Sequence, residues 1–204
     1  MRCLLLLIFS CSFCGIAQFS ERSSAKKDYG VKIGIPQVNV LLLYNQENIE
    51  NKIGFNGISA GFYYFYKKNN FLEFNGSFCA TSNIPVPGPV TYVGKHELAS
   101  ALAFTLSNNY MTEMFNFGYG ISMNNYNFLD AYRATGSDTT ESFSTETNSL
   151  NLGIHLTGQL LFGKRFALAL NYNPTFFRFE NSAPWTYQHH IGLELLWRLK
   201  LKRK

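Results

Sequence analysis

Residues Tyr187 to Leu201, YQHHIGLELLWRLKL, decide the fold. Every second position is apolar or aromatic (Tyr187, Ile191, Leu193, Leu195, Trp197, Leu199, Leu201), with His189 the exception. Between them stand Gln188, His190, Gly192, Glu194, Arg198 and Lys200, small, polar or charged, with Leu196 the exception. A period of two means a strand with one apolar face and one wet face. Trp185, Tyr187 and Trp197 sit near the ends of the apolar row, as an aromatic girdle does at a bilayer surface. Ten steps from Tyr187 to Trp197, at ~3.3 Å each and tilted ~45°, rise roughly 23 Å. That height suits a strand that crosses the apolar layer of a membrane, ~25 Å tall around a barrel.

The beginning of the chain is expected to be an export signal. Arg2 is followed by the apolar run Leu4 to Ile8, and Gly15-Ile16-Ala17 supplies the small residues of a cleavage site. The mature chain is then expected to begin at Gln18. Ile8-Phe9-Ser10-Cys11 is the rival, a lipoprotein-type site, but Phe9 is bulky for it. The apolar run is too short to span a membrane as a helix, and no later stretch approaches the ~20 apolar residues a helix needs. A membrane location therefore requires a closed barrel, because open sheet edges cannot face lipid.

Composition agrees. Residues 1–17 are the expected signal peptide and 18–28 a polar linker, leaving enough chain for one domain, a barrel over residues 29–201 with a basic tail at 202–204. The formal net charge of +5 falls to +4 without Arg2, and much of the excess lies in Lys200, Lys202, Arg203 and Lys204. No basic patch is interleaved with aromatics, which argues against a nucleic-acid partner. Cys3, Cys11 and Cys14 leave with the signal, so Cys79 stands alone and neither an intrachain disulfide nor a cysteine zinc site is expected. His96, His189 and His190 define no metal-ligand spacing, and no cofactor is expected.

Seven more strands alternate in the same way. The first runs from Tyr29 to Tyr44, with Val31, Ile33 and Ile35 on one face; beyond Pro36 the apolar parity passes to Val38, Val40 and Leu42, which predicts a bulge at Pro36-Gln37. The others cover Gly57–Tyr66, Leu72–Thr81, Glu97–Leu106, Phe115–Asn124, Leu150–Phe162 and Phe166–Phe176. Lys67 to Asn70, Asn108 to Thr112 and Gly163-Lys164-Arg165 read as tight turns. Asn45–Lys52, Asn83–Lys95 (with Pro85, Pro87 and Pro89), Leu129–Asn148 and Glu180–Pro184 read as loops, the third of them mobile and solvated. Short turns at one end and longer loops at the other form the asymmetry of an up-and-down membrane barrel, with both termini on the short-turn side.

With these strands in view, the chain resembles the small eight-stranded outer-membrane β-barrel proteins of the OmpX and OmpA-transmembrane-domain type, in a form similar to members from Bacteroidota-like bacteria. In that class the barrel-assembly machinery reads a last-strand pattern of polar-x-Gly-x-x-hydrophobic-x-aromatic, and His190, Gly192, Leu195 and Trp197 match it. This chain continues past Trp197 to Lys204, so the signal would be internal. The resemblance implies an outer-membrane address, contact with lipid and lipopolysaccharide, and the assembly machinery as a partner during biogenesis. Small barrels linked to conjugative transfer or secretion look similar, so an envelope protein partner is a further expectation.

The interior of an eight-stranded barrel is just wide enough for side chains to fill. Lys32, Glu73, Glu97, Glu194, Arg198 and His155, with Asn171, fall on the inward parity. His155, Asn171 and Glu194 are expected to cluster at mid-height, and Arg198, Glu73 and Lys32 to pair nearer the termini; buried charges need such partners. Other functions share parts of this pattern. Lipid A deacylases use a His-x-Ser with a Glu, and His155-Leu156-Thr157 is similar only in outline, with Thr for Ser and the imidazole on the lumen face. Palmitoyltransferase barrels begin with an amphipathic helix, whereas Gln18 to Asp28 has no helical apolar stripe. A secreted lipocalin-like binder also alternates but turns its apolar face inward. The inward face here is dominated by Gly, Ala, Ser, Asn and Thr, unlike a soluble surface rich in Lys and Glu. A non-enzymatic membrane barrel acting through its loops or an envelope assembly is the leading expectation.

Overall fold

The structure, a computed structural model, describes residues 27–45, 48–81, 94–133, 142–163, 165–179 and 185–201. The signal segment, most of the linker, the tail 202–204 and Pro85, Pro87 and Pro89 lie outside the described residues. Nine strands follow in chain order: β1 (Tyr29–Asn45), β2 (Asn48–Gly54), β3 (Asn56–Phe65), β4 (Asn70–Ala80), β5 (Gly94–Met111), β6 (Phe115–Arg133), β7 (Ser142–Phe162), β8 (Phe166–Arg178) and β9 (Trp185–Leu201). Every pairing is antiparallel; β1 pairs with both β2 and β3, β3 to β9 pair in chain order, and β1 pairs with β9 from Tyr29↔Leu201 to Leu42↔His189. That last ladder closes the sheet on itself, so the ring has no open edge around its waist.

Nine strands make eight walls. The lower half of β1 pairs with β3 and the upper half with β2, so β2 and β3 are two parts of one wall interrupted at Phe55. The stretch expected as the loop Asn45–Lys52 is therefore mostly strand, with Asn48 already paired to Asn45. Likewise the described parts of Leu129–Asn148 are strand. They pair from Asn127↔Asn148 to Arg133↔Ser142, leaving only residues 134–141 outside the described structure. Ser and Thr alternating with Phe and Glu in Ser142–Asn148 suit an exposed strand as well as a loop, and composition alone does not separate the two. The expected turn at Asn108–Thr112 lies lower: β5 runs on to Met111, and Thr112 caps the turn by accepting from the Phe115 N–H and donating to its carbonyl.

The faces fall as the parity requires. Ile33, Ile58, Phe74, Phe104, Ile121, Ile154, Leu170 and Leu195 all point away from the interior and are exposed. Lys32, Ser59, Glu73, Asn75, Thr105, Ser122, His155, Asn171 and Glu194 point in and are buried. This orientation is the reverse of a lipocalin, and the reading as a soluble small-ligand barrel is set aside on it. The ladder between β1 and β9 slips between Pro36 and Val38, which keeps Ile35 and then Val38 and Val40 on the outer side across the bulge. A second slip, at Thr175/Phe177, turns Arg178 inward while Phe176 and Phe179 remain exposed. Gly163 makes the β7–β8 turn with φ +58, the left-handed region that glycine enters without a Cβ clash.

Leu170 lies opposite Leu193, near mid-height on the outer wall, and is 54% exposed. Leu170→Arg is expected to lower unfolding free energy in bilayers by ~2–4 kcal/mol, the cost of a cation at the midplane of a lipid-facing wall. Denaturant titration in vesicles measures it. A change within about 0.5 kcal/mol, as for an ordinary wet surface, would contradict a lipid-facing wall.

Candidate functional site in the barrel interior

The interior is layered. At the short-turn end Tyr63, Phe65, Phe71, Met111, Leu161, Ala167, Ala169 and Leu196 form an apolar cluster. At the other end Leu41, Leu43, Cys79, Ala99, Ala101, Tyr126 and Phe128 form a second. Between them the lumen is polar, and its hydrogen bonds run around the ring in belts.

The upper belt crosses five walls. His155 Nδ1 on β7 donates to Asn173 Oδ1 on β8 at 2.6 Å. Asn173 Nδ2 meets His190 Nδ1 on β9 at 3.4 Å, and His190 Nε2 meets Asn39 Oδ1 on β1 at 3.2 Å. Asn39 Nδ2 then donates to the carbonyl of Asn56 on β3 at 3.2 Å. The His190 tautomer that serves both contacts carries its proton on Nε2, so every donor points the same way round the barrel. Cys79 Sγ lies 3.5 Å from that same nitrogen.

The middle belt centres on Glu194. One carboxylate oxygen accepts from Asn171 Nδ2 and the other from Ser59 Oγ, each at 2.8 Å, while Thr157 Oγ1 donates to Asn171 Oδ1 at 2.8 Å. Ser59 reaches across β1 to a β9 residue because Gly34 stands between them: a Cβ there would lie 2.7 Å from Glu194 Oε2 and closer still to Ser59 Oγ. Lower again, Lys32 Nζ on β1 meets Glu73 Oε1 on β4 at 2.6 Å, both almost completely buried. Arg198 caps the stack, its guanidinium 4.9 Å from the Tyr63 ring centroid and 5.0 Å from that of Phe71. Such a desolvated cation over two rings gains ~2 kcal/mol or more.

His155, Asn171 and Glu194 thus lie in two adjacent belts, not one cluster: Glu194 binds Asn171, and His155 binds Asn173. Lys32 pairs with Glu73, while Arg198 packs on aromatic faces and against Met111 Sδ. Trp185, Tyr187 and Trp197 stand on the outer surface, Trp185 at the loop end and Trp197 at the turn end. Of the last-strand pattern, Leu195 and Trp197 face outward, whereas His190 and Gly192 face the lumen. Asn39, Ser59, Thr157, Asn173 and His190 complete the belts without having been singled out as lumen partners. The signal for Asn39 was available, since the bulge that moves Val38 and Val40 outward moves Asn39 inward.

Chemically the interior is a set of closed hydrogen bonds. A nucleophile must lie within reach of its base, but the Thr157 hydroxyl donates to Asn171, and His155 makes its contact with Asn173. Both side chains are buried inside the wall, away from the apolar exterior. Among the described residues no group of three or more His, Cys, Asp or Glu is placed to hold a metal ion.

No family model matches this chain, and no curated protein does. Among solved structures it is similar to Ail, the attachment invasion locus protein of Yersinia pestis, at 13% identity and TM-score 0.47, over 85% of this chain and 99% of that one. Ail with the heparin analogue sucrose octasulfate gives 12% and 0.49 over the same shares. Neisserial surface protein A gives 8% and 0.42, over 85% of this chain and 97% of that one. The barrel assignment here rests on the strand register itself.

Lys32→Met leaves the Glu73 carboxylate buried without its cation and is expected to cost about 3–5 kcal/mol. Lys32→Met with Glu73→Leu is expected to recover most of that loss, since neither charge is then stranded. Urea unfolding of both variants measures the pair. A double variant as unstable as the single one would show that the ion pair is not what Lys32 supplies.

Proposed function

We propose that this chain is an outer-membrane barrel that acts without catalysis, through the end of the cylinder where a ribbon of three strands rises past its flanking strands β4 and β8. The observation that carries the reading is the raised ribbon β5–β6–β7. β4 stops at Ala80↔Ser100 and β8 at Asn151↔Arg178, yet β5 and β6 stay paired to Gly94↔Arg133 and β6 and β7 to Arg133↔Ser142. Residues 94–99, 127–133 and 142–149 therefore run on past those points; six residues at ~3.3 Å each, tilted ~45°, rise roughly 14 Å. No described strand pairs with the outer side of Ser142–Ser149. That edge carries one charged residue, Glu146, which accepts from Asn127 Nδ2 at 2.7 Å.

Exposed strand edges recruit extended segments of other proteins by adding a strand, and natural edges that avoid this carry lysines, prolines or bulges. The β5 edge carries Glu97, paired with Lys52; the β7 edge is barely guarded. The partner in this reading is an envelope or extracellular protein presenting an extended segment, as expected of a conjugation- or secretion-associated assembly. Export by the signal segment, insertion by the barrel-assembly machinery and contact with lipid and lipopolysaccharide belong to the same proposal. A lipid A-modifying hydrolase is less well supported, because the His155 and Thr157 side chains face the lumen and serve separate belts.

A photo-crosslinking residue at Ser144, on the β7 edge, is expected to give protein adducts in intact cells, and one at Leu170 only lipid adducts. Lipid adducts alone at both positions would leave the ribbon without a partner and contradict the reading.

A further inference from the structure

One inward charge takes no part in the belts. Arg178 is the last residue of β8, at the loop end of the cylinder, and is only 8% exposed. Counting by twos from Asn171 would place Arg178 on the outer wall; the slip at Thr175/Phe177 turns it into the lumen instead. Bulges re-aim side chains in this way beside functional sites. Lys32 has Glu73, Glu194 accepts from Asn171 and Ser59, and Arg198 lies over two rings. Arg178 has no such company: no described carboxylate pairs with it, and its Nε has no hydrogen-bond partner. Desolvating a cation is strongly unfavourable unless a counter-charge accompanies it.

Its neighbours offer acceptors. Arg178 stands opposite Asn151 on β7, and Asn151 opposite Asn124 on β6, so the three share one row of the inner wall at ~4.8 Å per strand. Asn151 Nδ2 is fixed by the Ser149 carbonyl and hydroxyl oxygens, each at 3.0 Å. Asn124 Nδ2 donates to Ser122 Oγ at 3.2 Å, and the Ser122 proton goes to the Ile154 carbonyl at 3.1 Å. Both amide oxygens are therefore left buried and without a donor, and so is Gln188 Oε1, opposite Thr175 in the next row down. The apolar cluster at this end draws its members from β1, β4, β5 and β6, which leaves the β7–β9 side of the lumen to Arg178 and these amides.

We propose that the loop end of the lumen binds a phosphate group that retains an O–H. Arg178 supplies the positive charge and donates to the phosphate oxygens, and the amide oxygens of Asn124, Asn151 and Gln188 accept from the phosphate hydroxyls. A protonated phosphate carries both kinds of group. Sulfate has the same shape but acceptors alone, so it would set lone pairs against the three amide oxygens. The same group comes as free inorganic phosphate or as the end of a phosphomonoester. Because Arg178 ends its strand, either reaches it from the loop side without crossing the belts. The site is independent of the β7 edge and of any protein partner there.

The test is thermal unfolding of the full chain in detergent micelles at about pH 6, where phosphate and its monoesters both keep a proton, at constant ionic strength. Anions are added in the low millimolar range, below the general exclusion effect that phosphate and sulfate share. Inorganic phosphate is expected to raise the midpoint with a saturating dose dependence, as a ligand of the folded state does, and sulfate to leave it unchanged. Glycerol 3-phosphate separates the sources: stabilisation by both phosphates assigns a phosphomonoester, and by inorganic phosphate alone the free ion. Arg178→Gln is expected to raise the phosphate concentration needed roughly ten- to hundredfold, the loss of a charged hydrogen-bonding partner. Without phosphate that variant should unfold no earlier than the unsubstituted chain, since no stranded cation remains. Asn124→Ala with Asn151→Ala is expected to admit sulfate as well as phosphate. No stabilisation by phosphate, equal stabilisation by sulfate, or a phosphate effect that survives Arg178→Gln would overturn the site. The comparison of the two anions on the unsubstituted chain decides the matter even where a variant does not fold.

Discussion

The hydrogen-bonded ladder between the first strand and the last is the constraint on which everything else depends. In hydrocarbon an unpaired backbone N–H or C=O costs several kcal/mol, so a sheet can face lipid only if its edges meet. Here they meet along the length from Tyr29↔Leu201 to Leu42↔His189. Once the ring is closed, every strand has one face outward and one inward, and the period-two pattern sorts side chains between an apolar outer wall and a polar lumen. The slip at Pro36 follows from the same demand. Proline has no N–H to give a ladder and is tolerated in a sheet at a bulge, and the displaced register keeps Val38 and Val40 on the outer side.

The seam is also stitched from within. β1 and β9 are the first and last described strands, and joining them costs loop-closure entropy that local contacts do not offset. Three sets of interior contacts tie β9 to β1 or reach past it: His190 to Asn39 on β1, Glu194 to Ser59 on β3 across Gly34, and Arg198 over Tyr63 on β3 and Phe71 on β4. The partners come from walls far apart in sequence, so each contact forms only when the ring has closed. The polar interior thereby holds the closure together and fixes one register, because shifting a strand by one residue would carry its polar groups into lipid. Two apolar clusters then cover the belts from either end.

Much of this was legible in the sequence, and what was not has physical causes. The alternation in Tyr187–Leu201, the inward set from Glu73 to Thr81 on β4 and the bulge at Pro36 were readable because a two-sided solvent environment imprints parity directly. The split of the second wall at Phe55 was hidden, since Asn48–Lys52 is polar and short. The heights of β6 and β7 were hidden too: beyond the lipid, strand and loop draw on the same Ser, Thr, Asn and Glu. The pairing of Lys32 with Glu73 lay in their shared depth and inward parity. The division of His155, Asn171 and Glu194 into two belts depends on stagger between β7, β8 and β9, which residue counts along single strands do not contain. The raised ribbon is likewise a product of register between strands.

The closure itself is open to a direct measurement. Val31 and Leu199 face each other across the β1–β9 ladder, within the Cα separation of ~4.4–6.8 Å that a disulfide requires. Val31→Cys with Leu199→Cys, in a Cys79→Ala background, should oxidise readily in the folded protein and give a looped species of altered mobility after boiling. Moving the second cysteine to Leu195, on the same face but a different register, should abolish it. Efficient bridging in both pairs, or in neither, would contradict a closed ring in this register.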